Sequence, residues 1–267
     1  MTEAPVQPSP GTPCWVSLMA RDLDASRSFY GELLGWEFHP GPQRLGPYVR
    51  ARLGELDVAG LGEISRDRSL PVTWLPYFAT DDADTTCALI RECGGTVGVG
   101  PMDSEWGGRV AIAADPVGAA FGIWQTDGRP GVSPDGTPGT FVWNELLVRE
   151  SVQVTTFYSA VFGYRIEPLG TPERELRTLL LNGRPVGSVR GTDLPEGGGA
   201  SWVTYFAVPD VEAALRLLRK LGGTIVREVR DSAYGRFARV RDPEGGPFSL
   251  IEMRDPNDAV ERPLRGM

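Results

Sequence analysis

Residues 14–125 are repeated by residues 142–252, so the chain must fold as two copies of one pattern. Phe29-Tyr30 recurs as Phe157-Tyr158, Leu34-Gly35-Trp36 as Phe162-Gly163-Tyr164, Tyr77-Phe78 as Tyr205-Phe206, and Gly94-Gly95-Thr96 as Gly222-Gly223-Thr224, each 128 positions on. Trp15 returns as Trp143. A one-residue deletion then shortens the offset to 127, matching Gly108-Arg109 with Gly235-Arg236, Asp115-Pro116 with Asp242-Pro243, and Phe121 with Phe248. The repeat divides the chain into a flexible tail at 1–13, a first domain at 14–127, a linker at 128–139, a second domain at 140–256 and a tail at 257–267. Each domain has ordinary single-domain size, and the linker holds Pro130, Pro134 and Pro138 with little that is apolar.

Each half reads as strand, helix and several strands, twice over. Trp15–Met19 is a predicted strand, followed by a helix over Asp22–Leu34 with Phe29, Leu33 and Leu34 on its apolar face and Gly35 as its stop. Short strands are expected at 36–38, 48–53 and 58–64, then a strand at 74–80 and a helix at 82–93 halted by Gly94-Gly95. Strands at 96–99, 109–114 and 120–125 complete the half, with Asp115-Pro116 opening the last turn. This is βαβββ four times in the chain, an α+β fold.

Composition narrows the function classes. With 41% hydrophobic residues, each half has enough apolar side chains for its own core, and no apolar run approaches the roughly 18–20 residues of a membrane span. Met1 to Pro13 lacks a basic start followed by an apolar stretch, and reads as a tail rather than a signal peptide. Cys14, Cys87 and Cys93 are odd in number and fit no metal spacing, which points to buried thiols and a cytoplasmic, reducing compartment. A net charge of −8 without a basic stripe argues against nucleic acid and membrane partners. The basic residues are almost all arginine, Lys220 being the lone lysine, a usage that fits a GC-rich genome.

Three stretches of the first half then carry a family resemblance: Asp22-Leu-Asp-Ala-Ser-Arg-Ser-Phe-Tyr-Gly-Glu-Leu-Leu-Gly-Trp36, Ile90-Arg-Glu-Cys-Gly-Gly95, and Gly108-Arg-Val-Ala-Ile-Ala-Ala-Asp-Pro-Val-Gly118. In the second half the corresponding pieces are Thr156 to Tyr164, Leu221-Gly-Gly223 and Asp242-Pro-Glu-Gly245. The chain resembles the vicinal oxygen chelate superfamily, which takes in glyoxalases, bleomycin-resistance proteins and extradiol dioxygenases, and looks most like its tandem-domain actinobacterial members, often labelled hydroxylases or glyoxalase-like proteins. The resemblance implies that each βαβββ module supplies half of a curved sheet and that substrate binds inside the cup. It also implies that the two halves of a tandem chain satisfy each other as paired chains do elsewhere in the family, giving a monomer or weak homodimer.

Metal-using members of the family hold a divalent ion with His, Gln or Glu on the cup strands. Counted onto this chain, those positions fall on Trp15 and Trp143, near Leu75 and Val203, on Gly122 and Ser249, and within 58–61 and 186–189. None of these residues is a good ligand, and His39 is the lone histidine, expected in a loop just after the strand at 36–38, so no metal and no other cofactor are expected. Alternation along the strands places Ser17, Met19, Glu145 and Leu147 on the cup face with the two tryptophans, together with Tyr77, Tyr205 and Trp124. Indoles on one wall, phenols on another and small residues at the ligand positions describe a slot for a flat aromatic molecule. The alternative is that these rings only fill the sheet.

Glu145 is the acidic residue that this register puts inside a cup, where the first half has Ser17. In an apolar slot its pKa would rise and suit a general acid or base; paired with Arg236 or another arginine it would be structural. Arg109 and Arg236 likewise either pin corresponding strands or guide an anion. Three functions remain open: a metal-free protein binding an aromatic metabolite or antibiotic, a metal-independent lyase, isomerase or hydroxylase-like enzyme using Glu145, and a metal-dependent glyoxalase or dioxygenase, which the ligand positions disfavour. The expected ligand-binding residues are Trp15, Ser17, Tyr77, Gly122, Trp124, Trp143, Tyr205 and Ser249, with Glu145 as the candidate catalytic residue.

Overall fold

The computed structural model describes residues 8–64, 70–126, 136–169, 175–194 and 199–254. The expected tail at 257–267 and residues 128–135 of the expected linker lie outside the described residues. The first half runs β1 (Pro13–Ala20), α1 (Leu23–Leu34), β2 (Glu37–Pro40), β3 (Tyr48–Leu53), β4 (Leu56–Glu63), β5 (Thr73–Ala79), α2 (Ala83–Glu92), β6 (Thr96–Asp103), β7 (Arg109–Ala114) and β8 (Ala120–Gln125). The second runs β9 (Phe141–Val148), α3 (Ser151–Phe162), β10 (Arg165–Pro168), β11 (Leu176–Leu181), β12 (Arg184–Gly191), β13 (Ser201–Ala207), α4 (Val211–Lys220), β14 (Thr224–Ser232), β15 (Gly235–Arg241) and β16 (Pro247–Met253).

Each half forms one eight-stranded mixed sheet, ordered β2-β3-β4-β1-β5-β8-β7-β6 and β10-β11-β12-β9-β13-β16-β15-β14. The two modules of a half join where β1 meets β5 antiparallel, Trp15 opposite Tyr77 and Ser17 opposite Leu75. The second half repeats the register, Trp143 opposite Tyr205 and Glu145 opposite Val203. Helix ends follow local chemistry: Asp22 accepts from the Ala25 N–H at 2.9 Å and Gly35 stops α1 at φ 74°. His39 stands within β2 opposite Arg50, not in a loop after the strand, because the β2–β3 pairing extends to Pro40. Strand β6 likewise continues past the expected 99 to Asp103, carried by pairing with β7.

The helix-side cores depart from the sequence expectation in one respect: neither half keeps one to itself. Trp74 of β5 packs edge-on against Phe206 of β13 with ring centroids 4.8 Å apart, and Tyr30 of α1 lies 5.5 Å from Phe248 of β16. Reciprocally, Phe78 meets Trp202 at 5.5 Å and Phe121 meets Tyr158 at 5.7 Å. Each core is thus built mainly from the first module of one half and the second module of the other, with Trp74 and Trp202 reaching in from the central strands β5 and β13. The halves complete each other's cores, while each cup closes within its own half.

Buried polar contacts cross the same seam. The Tyr30 hydroxyl donates to Asp242 at 2.9 Å and accepts from the Trp74 indole at 3.1 Å; Tyr158 repeats this with Asp115 at 3.2 Å and Trp202 at 3.1 Å. Glu244 reaches across to accept from the N–H groups of Arg21 and Asp22 at 3.1 and 3.0 Å. The segment expected to be a loose tail up to residue 13 is docked from Gly11 onward: the Gly11 N–H donates to Ala79 at 2.8 Å, Tyr164 donates to the Gly11 carbonyl, and β1 begins at Pro13. Gly139 takes the corresponding place, donating to Ala207 at 2.8 Å and accepting from the Trp36 indole at 2.8 Å. Residues 1–7 lie outside the described residues.

Candidate functional site

The first cup encloses a cavity of about 610 Å³, walled largely by apolar and aromatic side chains. Trp15 of β1, Trp124 of β8 and Trp106, in the β6–β7 hairpin, form its indole wall. Trp106 and Trp124 are stacked with centroids 5.3 Å apart, and Trp15 meets Trp106 edge-on at 4.7 Å. The Arg50 guanidinium lies 5.5 Å from the Trp106 ring centre and holds its outer face. Leu45 and Leu70 stand exposed at the mouth, an apolar rim at the entrance.

The floor of this cup is phenolic. Tyr48 of β3 accepts from the Trp15 indole at 3.1 Å and shares a hydrogen bond with Ser17 at 2.7 Å. A side chain added at Gly60 would overlap the Tyr48 ring, and one added at Gly122 would overlap the Tyr77 ring, so the two glycines make the space these phenols occupy. Burial pushes Tyr48 above the usual phenol range; Tyr77 is raised well above it by burial first and then by the neighbouring Tyr48. Both therefore stay protonated near neutrality, available as hydrogen-bond donors and acceptors rather than as bases.

The second cup has the same frame and different contents. Trp143 stacks on Tyr234 at 5.9 Å, where the corresponding Trp15 meets Trp106 edge-on, and its indole donates to Ser188 at 3.0 Å. Glu145 takes the place of Ser17 but does not stand in an apolar slot. Its carboxylate accepts from Arg190 at 2.8 and 2.9 Å, from the Tyr205 hydroxyl at 3.0 Å, and from Arg239. Arg190 and Arg239 occupy the positions of Gly62 and Ile112, both of which line the open first cup. The partner of Glu145 is thus a pair of arginines, and Arg236 is engaged elsewhere, with Glu212 at 3.0 Å and Glu252 at 3.7 Å. Arg109 makes the matching clamp to Asp84 and to Asp103 at 3.3 Å, so both arginines tie a strand to the helix beside it.

The family's metal chemistry can be weighed against the donors present. In the first cup the four positions are held by Trp15, Gly60, Leu75 and Gly122, with the Tyr77 and Tyr48 rings filling the space beside the two glycines. The second cup offers Trp143, Ser188, Val203 and Ser249; the fully buried Ser249 hydroxyl has no partner among the described residues, but one neutral hydroxyl is a poor ligand. Among the described residues no three His, Cys, Asp or Glu side chains converge on a point. These donors do not fit a divalent ion, which needs several imidazole, thiolate or carboxylate ligands.

Of the expected binding residues, Trp15, Ser17, Tyr77, Gly122 and Trp124 come together in the first cup, and Trp143, Tyr205 and Ser249 in the second beside Glu145. Sequence reasoning missed Tyr48 and Trp106. Tyr48 has no aromatic counterpart at Leu176, so the repeat does not flag it; Trp106 has one, since Tyr234 follows it by 128 positions.

Comparison with known proteins follows the repeat. Residues 14–123 match the family described as Glyoxalase/Bleomycin resistance protein/Dioxygenase superfamily, and residues 145–251 match a Glyoxalase-like domain. The anthracycline biosynthesis protein DnrV of Streptomyces peucetius is 30% identical over 261 residues, covering 92% of this chain and 95% of that one. A Mycobacterium tuberculosis protein given the provisional name glyoxylase CFP32 is 33% identical over 248 residues, covering 91% and 95%. Among solved structures, the Mn(II)-bound glyoxalase from Novosphingobium aromaticivorans superposes with a TM-score of 0.63 at 17% identity, covering 94% of this chain and 86% of that one. Among the described residues no helix is long and apolar enough to cross a membrane.

Proposed function

The chain belongs to the glyoxalase/bleomycin resistance protein/dioxygenase superfamily, and from that premise we propose that it binds a flat, fused-ring aromatic molecule in its first cup without using a metal ion. The observation that carries this reading is the wall of Trp15, Trp106 and Trp124 around a cavity of about 610 Å³, a volume that suits a multi-ring ligand. The relative from Streptomyces peucetius is named for anthracycline biosynthesis, and anthracyclines are fused-ring aromatics. Tyr48 and Tyr77, whose pKa values move away from neutrality, suit recognition of a ligand hydroxyl or carbonyl better than proton transfer.

The test is calorimetric titration with an anthraquinone or anthracycline, before and after exhaustive chelation. Binding with unchanged affinity after chelation is expected. Trp106→Ala should weaken it about 10- to 100-fold, the usual value of a stacking aromatic anchor, with circular dichroism unchanged because the residue sits in a hairpin. Binding that disappears with the metal, or that ignores the loss of Trp106, would move the site elsewhere.

The shared cores supply a second proposal. Both are completed inside one chain, which supports a monomer; light scattering returning an obligate dimer over the micromolar range would contradict it. The three free cysteines support a reducing compartment such as the cytoplasm.

A further inference from the structure

The two cups differ most sharply in charge. Four positions that line the first cup, Gly62, Val99, Met102 and Ile112, become Arg190, Arg227, Arg230 and Arg239 in the second. Strand register keeps all four on the concave face: Arg227 stands opposite Arg239, whose guanidinium reaches Glu145, and Arg230 stands opposite Phe237, which packs on Tyr205 at 5.7 Å. Glu145 pairs with Arg190 and Arg239, and no carboxylate among the described residues lies within ion-pair distance of Arg227 or Arg230. One carboxylate thus faces four guanidiniums, in a chain whose net charge is −8.

Such a gathering of like charge opposes folding unless something answers it. Arg227 shows the strain: its pKa is lowered by partial burial and then by Arg239, Arg230 and Arg190. Solvent alone would favour splaying the four apart, yet the backbone register brings Arg227 and Arg239 directly opposite, at the spacing where like charges destabilise a sheet. Planar guanidinium forks are the groups best matched to a multivalent oxyanion. Trp143 and Tyr234, stacked beside the cluster, leave an aromatic flank for whatever carries that anion.

We propose that the second cup is an anion site, taking a small molecule that carries two negative charges on oxyanion groups, with Arg227 and Arg230 as its free donors and Arg190 and Arg239 held in place by Glu145. It is distinct from the aromatic cavity of the first cup and does not depend on that reading. Thermal unfolding at constant ionic strength tests it, with inorganic phosphate, succinate and chloride as probes. Phosphate or succinate should raise the melting midpoint saturably where chloride does not, and whichever acts identifies a phosphoryl or dicarboxylate ligand. Arg227→Ala and Arg230→Ala, both on an edge strand and without ion-pair partners among the described residues, should each weaken the effect about tenfold, and the double variant should abolish it. The double variant should also melt higher than the parent without anion, since repulsion is relieved. A midpoint that follows ionic strength alone, or an anion effect that survives in the double variant, would overturn the proposal.

Discussion

Asp242→Ala is expected to lower the unfolding free energy by about 3–5 kcal/mol, among the largest effects of any single change in this chain. The carboxylate is 3% exposed and accepts from the Gly246 N–H at 2.7 Å, the Glu244 N–H at 3.0 Å and the Tyr30 hydroxyl at 2.9 Å. Alanine removes all three hydrogen bonds at once. Gly246 and Tyr30 are buried, so their donors would remain unpaired, and Tyr30 belongs to the other half of the chain. The change therefore loosens a turn and the seam between the halves together. Denaturant titration with an unchanged slope and a lowered midpoint would show it; a loss under about 1 kcal/mol would mean that water replaces the carboxylate and that the seam is held by its rings alone.

The twin site adds a pH dependence with a definite sign. Burial raises the Asp115 carboxyl to about 6, against the hydrogen bonds from Ala119, Val117 and Tyr158 that lower it, and Asp242 is raised for the same reason. A folded-state pKa above the unfolded one means that the folded chain keeps the proton longer. The contribution is therefore fully present below about pH 4 and lost as pH climbs through about 6, worth on the order of 3 kcal/mol for a two-unit shift. Asp115→Asn keeps an acceptor for the turn and should flatten that slope. A stability profile as steep in the variant as in the parent would assign the slope to other groups.

Glu145→Gln is the second large effect, expected to cost about 3–5 kcal/mol of stability while leaving first-cup binding unchanged. The carboxylate is 3% exposed and answers both Arg190 and Arg239; a neutral amide leaves two guanidiniums facing Arg227 and Arg230 with no counter-charge among the described residues. Part of the loss should return in high salt, which screens the remaining repulsion. The substitution also separates the binding reading from the enzymatic one. An enzyme using Glu145 as proton handler would keep its fold and ligand and lose turnover, whereas the ion cluster predicts a fold that weakens first.

The first cup was legible in the sequence because strand alternation is local: once Trp15 faces inward, Ser17 does too, and the register carries Tyr77, Gly122 and Trp124 to the same face. Comparing the halves position by position also contained the charge contrast, since Arg190, Arg227, Arg230 and Arg239 stand where the first half has Gly62, Val99, Met102 and Ile112. Nothing in one half alone marks those arginines as neighbours, because they come from three strands whose approach depends on the curvature of the sheet. Tyr48 and Trp106 escaped for the same reason: one arrives from β3 and the other from a hairpin beyond the sheet, and both converge on Trp15 only when the cup closes.

The sequence by itself determined the repeat, the four βαβββ modules and the inward faces of the central strands. All of these follow from residue identity and short-range periodicity. Tertiary structure alone decided that each helix-side core is shared between the halves, that Glu145 is shut between two arginines, and that Tyr48 and Trp106 meet Trp15 at the first cavity. Each depends on which distant surfaces meet, and packing between segments more than a hundred residues apart leaves no local trace in the chain.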